Sequence, residues 1–124
     1  MTAPKRRIAL IARADASRRE LGRYLEAAGF DVLECEDLEV ASGFAALVVI
    51  SAQESSAEAL VANVRTWLRA SRSSRILVVT SRPTALRELA ADHAERVHVL
   101  PAPAFGWDVV DALRWQPPPR PKSA

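Results

Sequence analysis

Cysteine is almost missing from this chain. Cys35 is the single one, so an internal disulfide is excluded and no thiolate metal cluster can form. It stands in Val32-Leu33-Glu34-Cys35, a strand-like run, where a buried and inert thiol is expected. Histidine is scarce as well. His93 and His98, with Asp92 and Glu95 nearby, fall on a helix end and a strand without a regular ligand spacing, so no metal is expected. Four glycines, none clustered, exclude a glycine-rich phosphate loop. Where a dinucleotide site would need that loop, after the first apolar run, the chain has Arg13-Ala14-Asp15. Serines are plentiful, but no Gly-x-Ser-x-Gly elbow occurs and no nucleophile–base pair is visible, so no enzyme is expected. No apolar run reaches the roughly 18 residues of a membrane span. The basic start, Met1 to Arg7, is not followed by a signal peptide's apolar segment and cleavage site. Cytoplasmic residence is the expectation.

What is present is a domain's worth of apolar sequence: 124 residues, 49% apolar. The net charge of +2 has an uneven origin. Lys5, Arg6, Arg7, Arg120 and Lys122 are read as tail residues and give +5. Between Ile8 and Gln116 there are 12 arginines against 15 acids, a balance of −3. A mildly acidic body argues against nucleic-acid binding by the domain itself.

Short apolar runs alternate with helical stretches. Ile8–Ala12 reads as a buried strand. A first helix follows from about Ser17 to Ala28, with Leu21, Tyr24, Leu25 and Ala28 on one face. Asp15 or Ser17 can cap it, Ser17 with Glu20 in the capping-box pattern, and Gly29 ends it in the C′ position. Phe30–Cys35 is the second strand. Leu38–Phe44 is a short helical segment broken at Gly43, and Ala46–Ile50 is an all-apolar strand of the central, doubly covered kind. A third helix opens at Ser55, with Glu58 at its capping-box position, and runs to about Ala70. Arg75–Thr80 is a strand, Thr84 to about Ala94 the fourth helix, Val97–Leu100 the fifth strand, and Trp107–Trp115 the last helix. Strict βα alternation implies a parallel sheet with helices on both faces. The domain is assigned to residues 1–116, and 117–124, Pro-Pro-Pro-Arg-Pro-Lys-Ser-Ala, to a Pro-rich linker or tail.

From about Arg7 to Trp115 this pattern resembles the receiver domain of bacterial response regulators, most tellingly in Leu25-Glu26-Ala27-Ala28-Gly29-Phe30-Asp31-Val32. The resemblance implies a flavodoxin-like (βα)5 doubly wound sheet of order 2-1-3-4-5. It also implies five chemical positions at the strands' carboxyl ends. Two acids after the first strand hold Mg²⁺. An aspartate after the third accepts a phosphoryl group. A Thr or Ser ends the fourth, and a Lys before a Pro ends the fifth. Here Ala12 and Arg13 stand for the acids and Ser51 for the aspartate. Thr80 keeps the hydroxyl, Leu100 replaces the lysine, and Pro101 keeps the proline. Asp15 and Glu54 each lie three residues beyond the relevant position, and no metal cage surrounds either. Only 15 residues separate Cys35 from Ser51, so the second helix should be short.

Two readings of Arg13 stand: it locks one conformation, or with Arg82 it makes a pocket for an anion. Arg18, Arg19 and Arg23 on the first helix, and Arg65, Arg69 and Arg72 on the third, read as solvated faces or as surface for an acidic partner. In the resembling family the face of the fourth helix, fifth strand and fifth helix mediates docking or dimerisation. Here it would carry His93, Arg96, His98, Phe105, Trp107 and Trp115. Trp107 and Trp115 lie about 80° apart on an ideal helix, so they either cap the core or leave at least one ring part exposed. The sequence therefore points to a phosphorylation-independent pseudo-receiver that binds a protein partner or a second copy, with no cofactor and no membrane. Nucleic acid would be reached only through a further output domain. The alternative is a sensor of a ligand or anion in the vacated pocket, controlling a transcriptional output.

Overall fold

A computed structural model describes residues 6–12, 15–35, 44–50, 56–70, 74–102, 104 and 106–114, with the side chains of Asp15 and Ser17 excepted. Five strands form one parallel sheet: β1 (Arg7–Ile11), β2 (Asp31–Cys35), β3 (Ala46–Ile50), β4 (Arg75–Thr80) and β5 (Val97–Pro101). Their order is β2-β1-β3-β4-β5, with every neighbouring pair parallel. The helices are α1 (Asp15–Ala27), α2 (Ala57–Ala70), α3 (Arg87–Asp92) and α4 (Gly106–Arg114). The flavodoxin-like expectation holds. Leu38–Gly43, expected as a short second helix, lies outside the described residues, and Phe44 is buried and non-helical.

The strands' period of two sorts the apolar residues into two layers. Ala9, Ile11, Leu47, Val49, Ile76, Val78 and Val97 face Leu60, Val64 and Trp67 of α2 and Leu89 of α3. Ile8, Leu10, Ala46, Val48, Leu77 and Val79 face Leu25 of α1 and Val109, Val110 and Leu113 of α4. β3 and β4 are buried on both faces, as their unbroken apolar runs require. β2 is an edge strand and half-open.

Helix ends follow local chemistry. Gly29 has φ +103°, the left-handed conformation that only glycine adopts cheaply. Its N–H donates to the Glu26 carbonyl (3.0 Å) and that of Phe30 to Leu25 (3.1 Å). This is a Schellman closure, sealed by Phe30 and Leu25 in one apolar cluster. α2 is capped one residue later than expected. The Ser56 hydroxyl accepts from the Ala59 N–H at 3.1 Å, while Ser55 lies outside the described residues. The fourth predicted helix is shorter than 84–94. Pro83–Leu86 is a 3₁₀ turn leading into α3, and the chain leaves helical geometry at His93 (φ −125°).

Arg6 and Arg7 are not tail residues. The Arg7 guanidinium sits 4.9 Å from the centre of the Phe44 ring. Arg6 and Arg75 both donate to the Leu113 carbonyl in the last turn of α4, at 3.3 and 3.4 Å. Cations at a helix's carboxyl end oppose its dipole and satisfy its orphan carbonyls. Arg114 does the same for α1, donating to Ala28 O at 3.2 Å.

Candidate functional site

The carboxyl ends of the strands converge at one edge of the sheet. Ala12, one residue past β1, is buried, and its N–H donates to the Cys35 carbonyl at 3.2 Å. β4 ends at Thr80, also buried. The Thr80 hydroxyl accepts from the Arg82 N–H at 3.0 Å, and its carbonyl accepts from Ala102 N–H at 2.8 Å. Thr80 pairs with Pro101 across the ladder. Leu100 is half-buried and packs against the α1/α4 layer, whereas Pro101 is exposed. Thr80, Leu100 and Pro101 stand at the ends of the adjacent strands β4 and β5, and Ala12 follows β1, which β3 separates from β4. Arg13 and Ser51 lie outside the described residues, so the locking and anion readings of Arg13 stay expectations.

A residue read as part of a solvated face belongs to this site. Arg18 is only 8% exposed, while Arg19 and Arg23 are exposed as expected. Its guanidinium donates to the Ala12 carbonyl at 2.6 Å, and its Nε lies 3.5 Å from Glu34 Oε1 on β2. The signal was in the spacing. Arg18 stands three residues before Leu21 and seven before Leu25, on the inward stripe of α1. A buried guanidinium needs partners to offset desolvation, and a strand-end carbonyl and a carboxylate supply them. Burial pushes the neighbouring Cys35 thiol above its ordinary range, with the Arg18 charge pulling the other way. Cys35 is half-buried rather than fully enclosed.

These groups do not suit a divalent metal. Ala12 has no side-chain oxygen, and the cation of Arg18 is held against its carbonyl. Among the described residues no three His, Cys, Asp or Glu groups come together to hold a metal ion. Hard cations need several oxygen ligands.

No protein-family model matches the chain, and no curated protein matches its sequence. Its likenesses are to solved structures. The receiver domain of the hybrid histidine kinase CckA matches with a TM-score of 0.58 and 20% identity, over 87% of this chain and 95% of that one. A Burkholderia pseudomallei response regulator, solved with a phosphorylated aspartic acid, calcium and citrate, matches at 0.69 and 19%, over 89% and 67%. This chain has the receiver fold. A Rhodopirellula baltica chain described as an adenylate cyclase matches at 0.68 and 18% identity, over 89% and 85%. At such identities the likeness is one of fold, and a fold hosts many functions.

On the receiver fold, the second region of interest is the face of α3, β5 and α4. His93 is exposed in the turn after α3, and His98 is half-buried on β5. Burial and then the Arg75 charge pull His98 below its ordinary pKa. Arg96 is committed to the fold: its Nε and Nη2 donate to Ser74 O, each at 3.1 Å, and its Nη1 to Leu68 O at 3.2 Å. Trp107 is 55% exposed. Phe105 and Trp115 lie outside the described residues. Among the described residues no helix is long and apolar enough to cross a membrane.

Proposed function

We propose that this chain is a phosphorylation-independent receiver-like module that regulates by binding protein in bacterial signal transduction. The observation that carries the reading is the Arg18 guanidinium, buried and 2.6 Å from the Ala12 carbonyl. In the resembling family this corner holds acids and Mg²⁺. A fixed cation there repels a divalent ion, and the acceptor position carries Ser51 in place of a carboxylate nucleophile. Thr80, which keeps the family's hydroxyl, has it engaged by the Arg82 backbone N–H. With Ala12 and Leu100 in place of an acid and the lysine, the scaffold is left to act through its surface, consistent with the exposed Trp107.

The test is incubation with acetyl phosphate and Mg²⁺ followed by intact-mass analysis. The expected result is an unchanged mass. A stoichiometric phosphoprotein, stable in acid and labile in base, would overturn the reading.

A further inference from the structure

We infer that the seam between α1 and α4 is a binding site for a polyproline II segment, and that its occupant is the chain's own Pro117–Pro121. Two exposed aromatics mark the seam: Tyr24 on α1, 44% exposed, and Trp107 on α4, 55% exposed. A Cβ at Gly106 would stand 2.7 Å from the Tyr24 ring, so that ring lies directly on the backbone preceding Trp107. Trp107 and Arg114 are seven residues apart, within about 20° of one another on the helix. Arg114 reaches across to the Ala28 carbonyl at the end of α1, so the stripe bearing Trp107 borders α1.

Exposed aromatic rings are what Pro-rich segments dock against, because a polyproline II helix is already ordered and presents its rings without internal hydrogen bonds. The chain itself carries such a ligand in Pro117-Pro118-Pro119-Arg120-Pro121-Lys122, which contains a Pro-x-x-Pro spacing at Pro118 and Pro121. The charges match. Glu20 lies one turn before Tyr24 on the same flank, Asp111 lies one turn after Trp107, and both are exposed. Arg120 and Lys122 supply two cations. Reach is adequate. From Arg114 back to Trp107 is about 10 Å at 1.5 Å per residue, and five residues of polyproline II span about 15 Å. Trp115 and Gln116 remain for the reversal. Docked this way, the segment covers both aromatics, and this site is separate from the strand-end corner.

A nitroxide placed by Ser123→Cys in a Cys35→Ser version of the 124-residue chain tests the contact. The expected result in dilute solution is selective broadening of the Trp107 indole N–H and the Tyr24 and Asp111 amides. The broadening should be lost in the Pro118→Ser/Pro121→Ser variant and weakened by salt or by Arg120→Glu. Those substitutions lie beyond the described residues, so the sheet's own resonances serve as the folding control. Absence of broadening at Trp107 overturns the proposal. So does broadening seen only when labelled and spin-bearing copies are mixed, which would place the segment on a second molecule.

Discussion

Arg18 combines burial, charge and a short hydrogen bond in one side chain. Arg18→Ala removes the donor to Ala12 O and leaves a gap against β1 and β2. The expected cost is about 2 kcal/mol in chemical denaturation, the range of a hydrogen bond made by a charged group. Glu34→Gln should cost under about 1 kcal/mol, because that carboxylate is 39% exposed and its ion pair is screened. Equal effects of the two would mean that the ion pair, not the bond to the carbonyl, holds the corner. His98 gives a pH dependence of known sign. Its folded pKa lies below the ordinary 6.5 because burial and then Arg75 disfavour the cation. Between the folded value and 6.5 the unfolded chain binds more protons, so this contribution is complete above about 6.5 and is lost as pH falls through the folded pKa. Denaturation midpoints across this window should show a slope that His98→Gln flattens; an unchanged slope would assign it to other groups.

At the scale of elements, packing of α4 on α1 depends on Gly106. Gly106→Ala sets a methyl against the Tyr24 ring at 2.7 Å, and overpacking of this kind costs about 1–3 kcal/mol. In a Tyr24→Ala background the cost should largely vanish. A double-mutant cycle with no coupling would show that the contact is not the constraint. Arg96 joins the last turn of α2 to the segment entering β4 through three hydrogen bonds to backbone carbonyls. Arg96→Met keeps the stem but leaves those carbonyls without these donors, and should lower the denaturation midpoint by about 1–3 kcal/mol equivalent. Patterns marked the elements well because both layers of the sheet are apolar and the helices amphipathic. They overextended the fourth helix, where Pro83 and the turn at His93 leave only Arg87–Asp92 in α-helical form.

For the whole molecule, a corner in which Ala12 stands for an acid and the Arg18 cation sits on its carbonyl predicts indifference to magnesium. A ligand stabilises only by what it binds in the native state, so millimolar Mg²⁺ should leave the melting temperature where EDTA leaves it. A rise specific to Mg²⁺ over matched ionic strength would place a cation site the described residues do not show. The candidate site was legible in part. Ala12, Thr80, Leu100 and Pro101 could be placed by counting from strand ends, because a parallel sheet aligns those ends. Arg18 was missed because a charge on a helix reads as solvated unless its register with the apolar stripe is followed.

Alternation of apolar runs with amphipathic stretches determined the βα order by itself. Gly29 determined the end of α1, since only the left-handed conformation there closes the helix. Tertiary structure alone decided the fate of the arginines. Composition counts them all as surface charge, yet Arg6, Arg75, Arg96 and Arg114 end on backbone carbonyls, and Arg18 is buried at the corner. A guanidinium's place depends on which orphan carbonyls the packed helices bring within its reach, and those partners lie as far as 107 residues away in the chain.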